Sequence, residues 1–190
     1  MPHGRSDADL ARDVNAGDAS AFELVFDRHA TTIYNYCFRR TASWDTAQDA
    51  TSTVFLEAWR TRERLVVVDD SVLPWLYGIA TNVCRNTNRS ASRHLRALTR
   101  MPVSGDVPDH ADDVAGRLDD QQLMRQVLSG IEALPIRERD VIALVVWEQL
   151  DYASAAAALG IPIGTVRSRL SRARARLSVP LAIPHLEEQP

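Results

Sequence analysis

The stretch from Thr165 to Arg176 carries arginine, serine and threonine and no carboxylate. Guanidinium forks match phosphate oxygens and guanine edges, and hydroxyls bond to either, so such a set can grip a nucleic-acid duplex. Val166, Leu170, Ala173 and Leu177 recur at i, i+4, i+7 and i+11. That spacing predicts a helix with one buried stripe. The opposite side then presents Thr165, Arg167, Ser168, Ser171 and Arg172, with Arg169, Arg174 and Arg176 on the flanks. Solvated helix faces usually mix charges, whereas an acid-free face suits a DNA major groove.

No other chemistry competes with this reading. The sequence holds no nucleophile elbow, no Gly-rich phosphate loop and no paired carboxylates at metal spacing. His3, His29, His94, His110 and His185 are scattered. Cys37 and Cys84 are far apart, without a C-x-x-C pair or a His cluster, which argues against structural zinc and a disulfide framework. Each falls on the apolar side of an expected helix, where a buried thiol is the natural state. The expectation is therefore no enzyme, no metal and no cofactor.

The elements that position the basic helix are legible around it. Tyr152 to Leu159 is an Ala-rich segment, followed by Gly160 and Pro162 and then the basic helix from about Ile163. Two helices joined by a tight Gly-containing turn form a helix-turn-helix, and the small residues Ala155 to Ala158 let the pair approach closely. Before it, Leu123, Val127, Ile131 and Leu134 share a helical face that Pro135 ends, and Val141, Ile142, Leu144 and Val145 form a second apolar run.

The first half reads as four more helices. Ser6 and Asp9 form a capping box, with Gly17 as a stop. Phe22, Val25, Phe26, His29, Ile33, Tyr36 and Cys37 lie on one face of the next helix. Ala47, Ala50, Val54, Phe55 and Ala58 line a third, and Leu76, Ile79, Ala80 and Val83 a fourth, after a loop from Glu63 to Ser71. Between the halves, Met101 to Asp120 combines prolines and glycines with six aspartates against the single base Arg117. The expected organisation is all-α: a helical domain at 1–96, a flexible acidic linker at 97–117, a second helical domain with the helix-turn-helix at 118–178, and a tail at 179–190.

All 22 basic residues are arginine, and the formal net charge is −3. A GC-rich coding sequence would give the same arginine bias, so the distribution says more than the total. The polar N-terminus has no apolar signal core, and no stretch approaches the roughly 18 apolar residues of a membrane span, so a cytoplasmic protein without membrane insertion is expected.

Taken in order, these blocks resemble the extracytoplasmic-function sigma factors of the sigma-70 family. Gly160-Ile161-Pro162-Ile163-Gly164-Thr165 and the following Val166 to Leu177 are similar to region 4 of that family, as are Leu134-Pro135 and the stretch from Arg137 to Tyr152. Ala47-Gln48-Asp49, Val54-Phe55-Leu56 and Ala58-Trp59 are similar to one block of region 2, and Pro74-Trp75-Leu76 with Ile79-Ala80-Thr81-Asn82 to another. Gln48 stands where the family usually has Glu, Ser52 and Thr53 where it often has Gln and Glu, and Ser154-Ala155 where it has Glu-Ile.

The resemblance implies a division of labour. Gln48, Asp49, Ser52 and Thr53 would face the clamp of core RNA polymerase. Asn82, Arg85, Asn86 and Arg89, opposite Leu76, Ile79 and Val83, would read the −10 element of promoter DNA. The loop from Arg64 to Ser71 would hold a base swung out of the melting strand, with Val66, Val67 and Val68 against the ring and Asp69 or Asp70 on its edge, although a disordered acidic loop has the same composition. The basic helix would read the −35 element. The acidic linker would occupy the polymerase's basic RNA channel, and an anti-sigma factor would be a further partner. The competing function is an autonomous helix-turn-helix regulator, which needs neither the Asp49 helix nor the Asn82 helix.

Overall fold

The computed structural model describes residues 4–98 and 114–178. Its elements are α1 (Asp7–Asn15), α2 (Ala19–Thr41), α3 (Trp44–Arg60), a 3-10 turn (Arg62–Arg64), α4 (Leu73–Leu98), α5 (Val114–Ile131), α6 (Ile136–Ile142), a π turn (Ala143–Trp147), α7 (Tyr152–Leu159) and α8 (Ile163–Ser178). Among the described residues the only β-feature is an isolated bridge between Val68 and Ser71. The all-α expectation holds.

Local chemistry sets the helix ends. Ser6 Oγ accepts from the Asp9 amide at 3.2 Å and starts α1, and Gly17, at φ +93°, turns the chain into α2. Asp18 caps α2 through the Ser20 amide at 2.8 Å, Ser43 caps α3 through Thr46, and Asp151 caps α7 through the Ser154 amide at 2.7 Å. Gly160 ends α7 in the left-handed region at φ +60°, as the helix-turn-helix reading requires.

The α1–α4 core buries Leu10, Val25, Ile33, Val54 and Leu76 completely, together with both cysteine side chains. The α6–α8 core is built from Val141, Leu144, Ala155, Val166 and Leu170. Burying a large aliphatic side chain of this kind contributes about 1.5–3 kcal/mol.

Two expected core faces are corrected. Leu123 and Val127 of α5 are 62% and 41% exposed. The α6–α8 core is already closed, and this segment reaches it only through Met124, Ile131 and Leu134. Phe26 on α2 is also largely exposed, its ring set edge-on against Phe55 at 4.7 Å. Most of the expected linker and the whole expected tail lie outside the described residues, and α4 runs to Leu98 while α5 begins at Val114.

The two halves share a seam that no periodicity announces. Here α4 packs along α7, and the buried residues of both halves form one cluster. Asp140 of α6 is fully buried and accepts from Arg40 of α2 at 2.6 Å and from Arg85 Nε of α4 at 2.9 Å. Burial opposes the charge on Arg40, but Tyr36 and Asp140 beside it hold its pKa above the ordinary guanidinium value. Just after the π turn, Glu148 accepts from Arg39 Nε at 2.9 Å and from the Tyr77 hydroxyl at 2.7 Å. At Gly78 the helices almost touch: a Cβ built there would stand 2.5 Å from the Ala158 carbonyl oxygen.

Candidate nucleic-acid interface

Helix α8 delivers the expected basic face. Val166, Leu170 and Ala173 are buried, while Arg167, Ser168, Ser171, Arg172, Arg174 and Arg176 are exposed and Thr165 and Arg169 are half-buried. The face is partly organised from outside. The Arg167 guanidinium sits over the Tyr152 ring at 5.6 Å. Arg176 donates to Glu138 of α6 at 2.7 Å, and Arg172 donates back to the Ser168 carbonyl at 3.3 Å.

The second surface lies between α3 and α4. A groove of about 630 Å³ is lined by Asp49 and Thr53 from α3 and by Ile79, Asn82, Val83 and Asn86 from α4. The structure thus brings two residues expected at the polymerase clamp beside two expected at the −10 element. It also corrects the expected facing of α4: Asn82 and Asn86 share their side with Ile79 and Val83 instead of opposing them, because the core takes Leu76, Ala80 and Cys84. Gln48 and Ser52 are exposed but do not line the groove. The hydroxyls of Ser52 and Thr53 bond back to the carbonyls of Gln48 and Asp49 at 3.1 and 2.9 Å.

Arg85 and Arg89 part company. Arg89 is exposed, whereas Arg85 is committed to Asp140 across the seam, with a longer bond to Asn82 Oδ1 at 3.3 Å. As the chain stands here, the second half covers one of the four residues expected to read the −10 element.

The loop before α4 is a defined turn. Val68 and Ser71 exchange both backbone hydrogen bonds at 3.0 Å, and the residues between them, Asp69 and Asp70, have φ of +50° and +56°. This is the hairpin geometry that usually selects Asn-Gly or Asp-Gly. It thrusts both carboxylates into solvent, with Asp69 beside Asp151 of the α7 cap. Buried Leu65 and Val72 anchor the loop ends, Val66 is exposed, and Val67 and Val68 are half-buried.

A buried carboxylate pins the far end of this loop. Asp7 accepts from the Val72 amide and from His29 Nε2, both at 2.9 Å, and pairs with Arg28. Burial pushes Asp7 up, but the Val72 amide, His29 and Arg28 together hold its carboxyl below the usual range. Burial pulls His29 down against the pull of Asp7, so a neutral imidazole is favoured there.

A backbone at positive φ costs a non-glycine residue about 1 kcal/mol or more, and aspartate bears it better than a β-branched residue. Asp70→Gly should therefore raise stability by about 0.5–1 kcal/mol. Asp70→Val should lower it by more than about 1 kcal/mol. Thermal unfolding followed by circular dichroism checks the order, and equal midpoints for the two variants would contradict the turn.

The sequence assigns no role to Asp7, Glu138, Asp140 or Glu148, although Glu138 and Glu148 stand in the region 4-like stretch. Their partners lie tens of residues away or more, so local pattern holds no signal for them. Among the described residues no group of three or more His, Cys, Asp or Glu is placed to hold a metal ion, and no helix is long and apolar enough to cross a membrane.

Comparison with known proteins covers both halves of the chain. Residues 25–94 match the Sigma-70 region 2 family, and residues 124–177 match Sigma-70, region 4. The chain is 32% identical over 176 residues to ECF RNA polymerase sigma factor SigM of Mycobacterium tuberculosis, covering 93% of this chain and 85% of that protein. It is 31% identical over 187 residues to the ECF RNA polymerase sigma-E factor of Escherichia coli, covering 92% and 93%. The fold is shared with CnrH, solved in complex with the cytosolic domain of CnrY, at TM-score 0.63 and 24% identity over 92% of this chain and 96% of that one. It is also shared with RpoE from Bartonella quintana, solved with the anti-sigma factor NepR, at TM-score 0.58 and 23% identity over 86% and 98%. With region 2 around the α3–α4 groove and region 4 around α8, the chain belongs to the extracytoplasmic-function sigma factors of the sigma-70 family.

Proposed function

We infer that this chain is a promoter-specificity subunit: it binds core RNA polymerase and directs it to promoters through a −10 and a −35 element. The observation that carries this is the pairing of two reading surfaces on one chain in region 2, region 4 order. An autonomous regulator would need only the second. In this reading α8 reads the −35 duplex, Asn82, Asn86, Arg89 and the Asp69-Asp70 turn work on the −10 strand, and the exposed end of α3 around Gln48, Asp49, Ser52 and Thr53 meets the clamp. Residues 97–117 act as the tether between halves at 1–96 and 118–178. The chain works beside polymerase in the cytoplasm and supplies no catalytic group. The free energy for melting comes from capturing unstacked bases and from polymerase contacts. An anti-sigma factor is the regulatory partner we expect.

Charge gives the test. Sequence-independent DNA affinity comes from counterion release by basic side chains. This chain is at −3 overall, with its basic cluster on one short helix. The free protein should bind promoter duplex weakly at ~150 mM salt, where screening acts over about 8 Å. Adding core polymerase should yield a stable promoter complex, because two weak contacts held at fixed spacing act as one strong one. Mobility-shift titration with and without core polymerase checks this. Tight, sequence-specific binding by the free chain would favour the autonomous regulator.

A further inference from the structure

The arginines on the outer face of α8 are not equivalent. Glu138 lies at the start of α6, outside the recognition helix, and its side chain is only 6% exposed. Its Oε2 accepts from Arg176 at 2.7 Å, and its Oε1 stands 4.0 Å from Arg172 Nε. The two arginines are one helical turn apart and keep 60% and 51% of their side chains exposed. One buried carboxylate therefore holds the Arg176 guanidinium by a hydrogen bond and stands close enough to bias that of Arg172 by charge, while both arginines stay about half exposed.

We propose that Glu138 is a specificity-determining positioning residue for −35 recognition, acting through Arg172 and Arg176. The proposal rests on the reading of α8 as the −35 helix. Two effects follow from one carboxylate. First, it offsets part of the positive charge at this end of α8, which lowers the counterion-release affinity that any duplex enjoys. Second, it fixes the arginine forks. A guanidinium held on one edge offers its remaining N–H groups in a set direction, which suits a bidentate base contact more than a wandering phosphate contact. A carboxylate next to the DNA backbone also repels misdocked duplexes, where no guanidinium stands between it and a phosphate. Specificity gained by penalising the wrong partner is a general device.

The test uses holoenzyme assembled from core polymerase and the full chain. The probes are a pool of promoter duplexes randomised across the −35 element, and one duplex lacking promoter elements. Glu138→Gln keeps the side-chain volume and removes the charge. It should raise affinity for the promoterless duplex about tenfold, steepen its salt dependence by about one counterion, and flatten the −35 preference recovered from the pool. In an Arg172→Ala/Arg176→Ala background the same substitution should leave the −35 preference unchanged, since coupled residues lose their effect together. Unchanged promoterless binding together with an unchanged preference would overturn the proposal. So would a uniform loss on all duplexes, or an effect on −35 preference that persists without the two arginines, because both mark Glu138 as a brace of the fold alone. If the arginine pair itself can be removed without altering −35 preference, the reading of α8 fails and the proposal falls with it. If the arginine variants act and Glu138→Gln does not, only the proposal falls.

Discussion

Asp140→Ala is expected to part the two halves of the molecule. The carboxylate is fully buried and answers two arginines from the other half, Arg40 and Arg85. Removing one partner of a buried ion pair typically costs about 3–5 kcal/mol, because the remaining charge is left without water or counter-charge. Arg40 is itself 5% exposed and stays ionised, so it cannot escape the cost by losing a proton. It can escape by regaining water, which it does if α6 and α7 lift away from α2 and α4. The cost is therefore capped by the free energy of the seam, and the halves separate before either unfolds. Calorimetry should show one unfolding transition for the parent chain and two for the variant. Small-angle scattering should show the radius of gyration rising from near the compact value, about 16 Å for a chain of this length. A variant with the parent's radius and a single transition at the parent's midpoint would refute the account of the seam.

The second large effect concerns strand opening. Asn82 faces the α3–α4 groove, and Asp69 stands at the tip of the preceding turn. Both offer hydrogen bonds of the kind that base edges accept or donate once unstacked, and a well-placed bond of this kind is worth about 1–3 kcal/mol. Asn82→Ala and Asp69→Ala should each lower permanganate reactivity of the −10 thymines by about tenfold or more. Closed-complex affinity, set mainly by α8, should change by less than about twofold, since phosphate and −35 contacts are untouched. Permanganate footprints equal to the parent's for both variants would remove these residues from the melting step.

What the sequence discloses here follows the range of the forces involved. Helix α8, its buried stripe and its acid-free face are readable because a 3.6-residue period is a local property, and Gly160 marks its turn by a local demand for positive φ. The capping box at Ser6 is local too. The left-handed turn at Asp69-Asp70 carries no local signal because neither residue is glycine, and the anchor from Asp7 to the Val72 amide spans 65 residues. The π turn at Ala143–Trp147 inserts one extra residue per turn, which an apolar run such as Val141 to Val145 conceals. The apolar side of α5 departs from the pattern for the opposite reason: Leu123 and Val127 have helical spacing but line an open cleft against Phe38 and Trp44 instead of a closed core. The ion pairs of the seam join residues 55 to 109 positions apart, a distance at which charge type alone selects no partner.

The near-contact at Gly78 makes the seam behave as a joint with a single bearing surface. The atom opposite is a backbone carbonyl oxygen of α7, which cannot swing aside as a long side chain can. One added methyl group at position 78 would have to be accommodated by moving the helices apart by about 1 Å, since ordinary contact begins near 3.4 Å and the space available is 2.5 Å. Such a shift strains the Asp140 and Glu148 bonds together, because all of them cross the same gap. A residue with no side chain thus sets the clearance of the whole joint, and the smallest possible substitution there works as a shim.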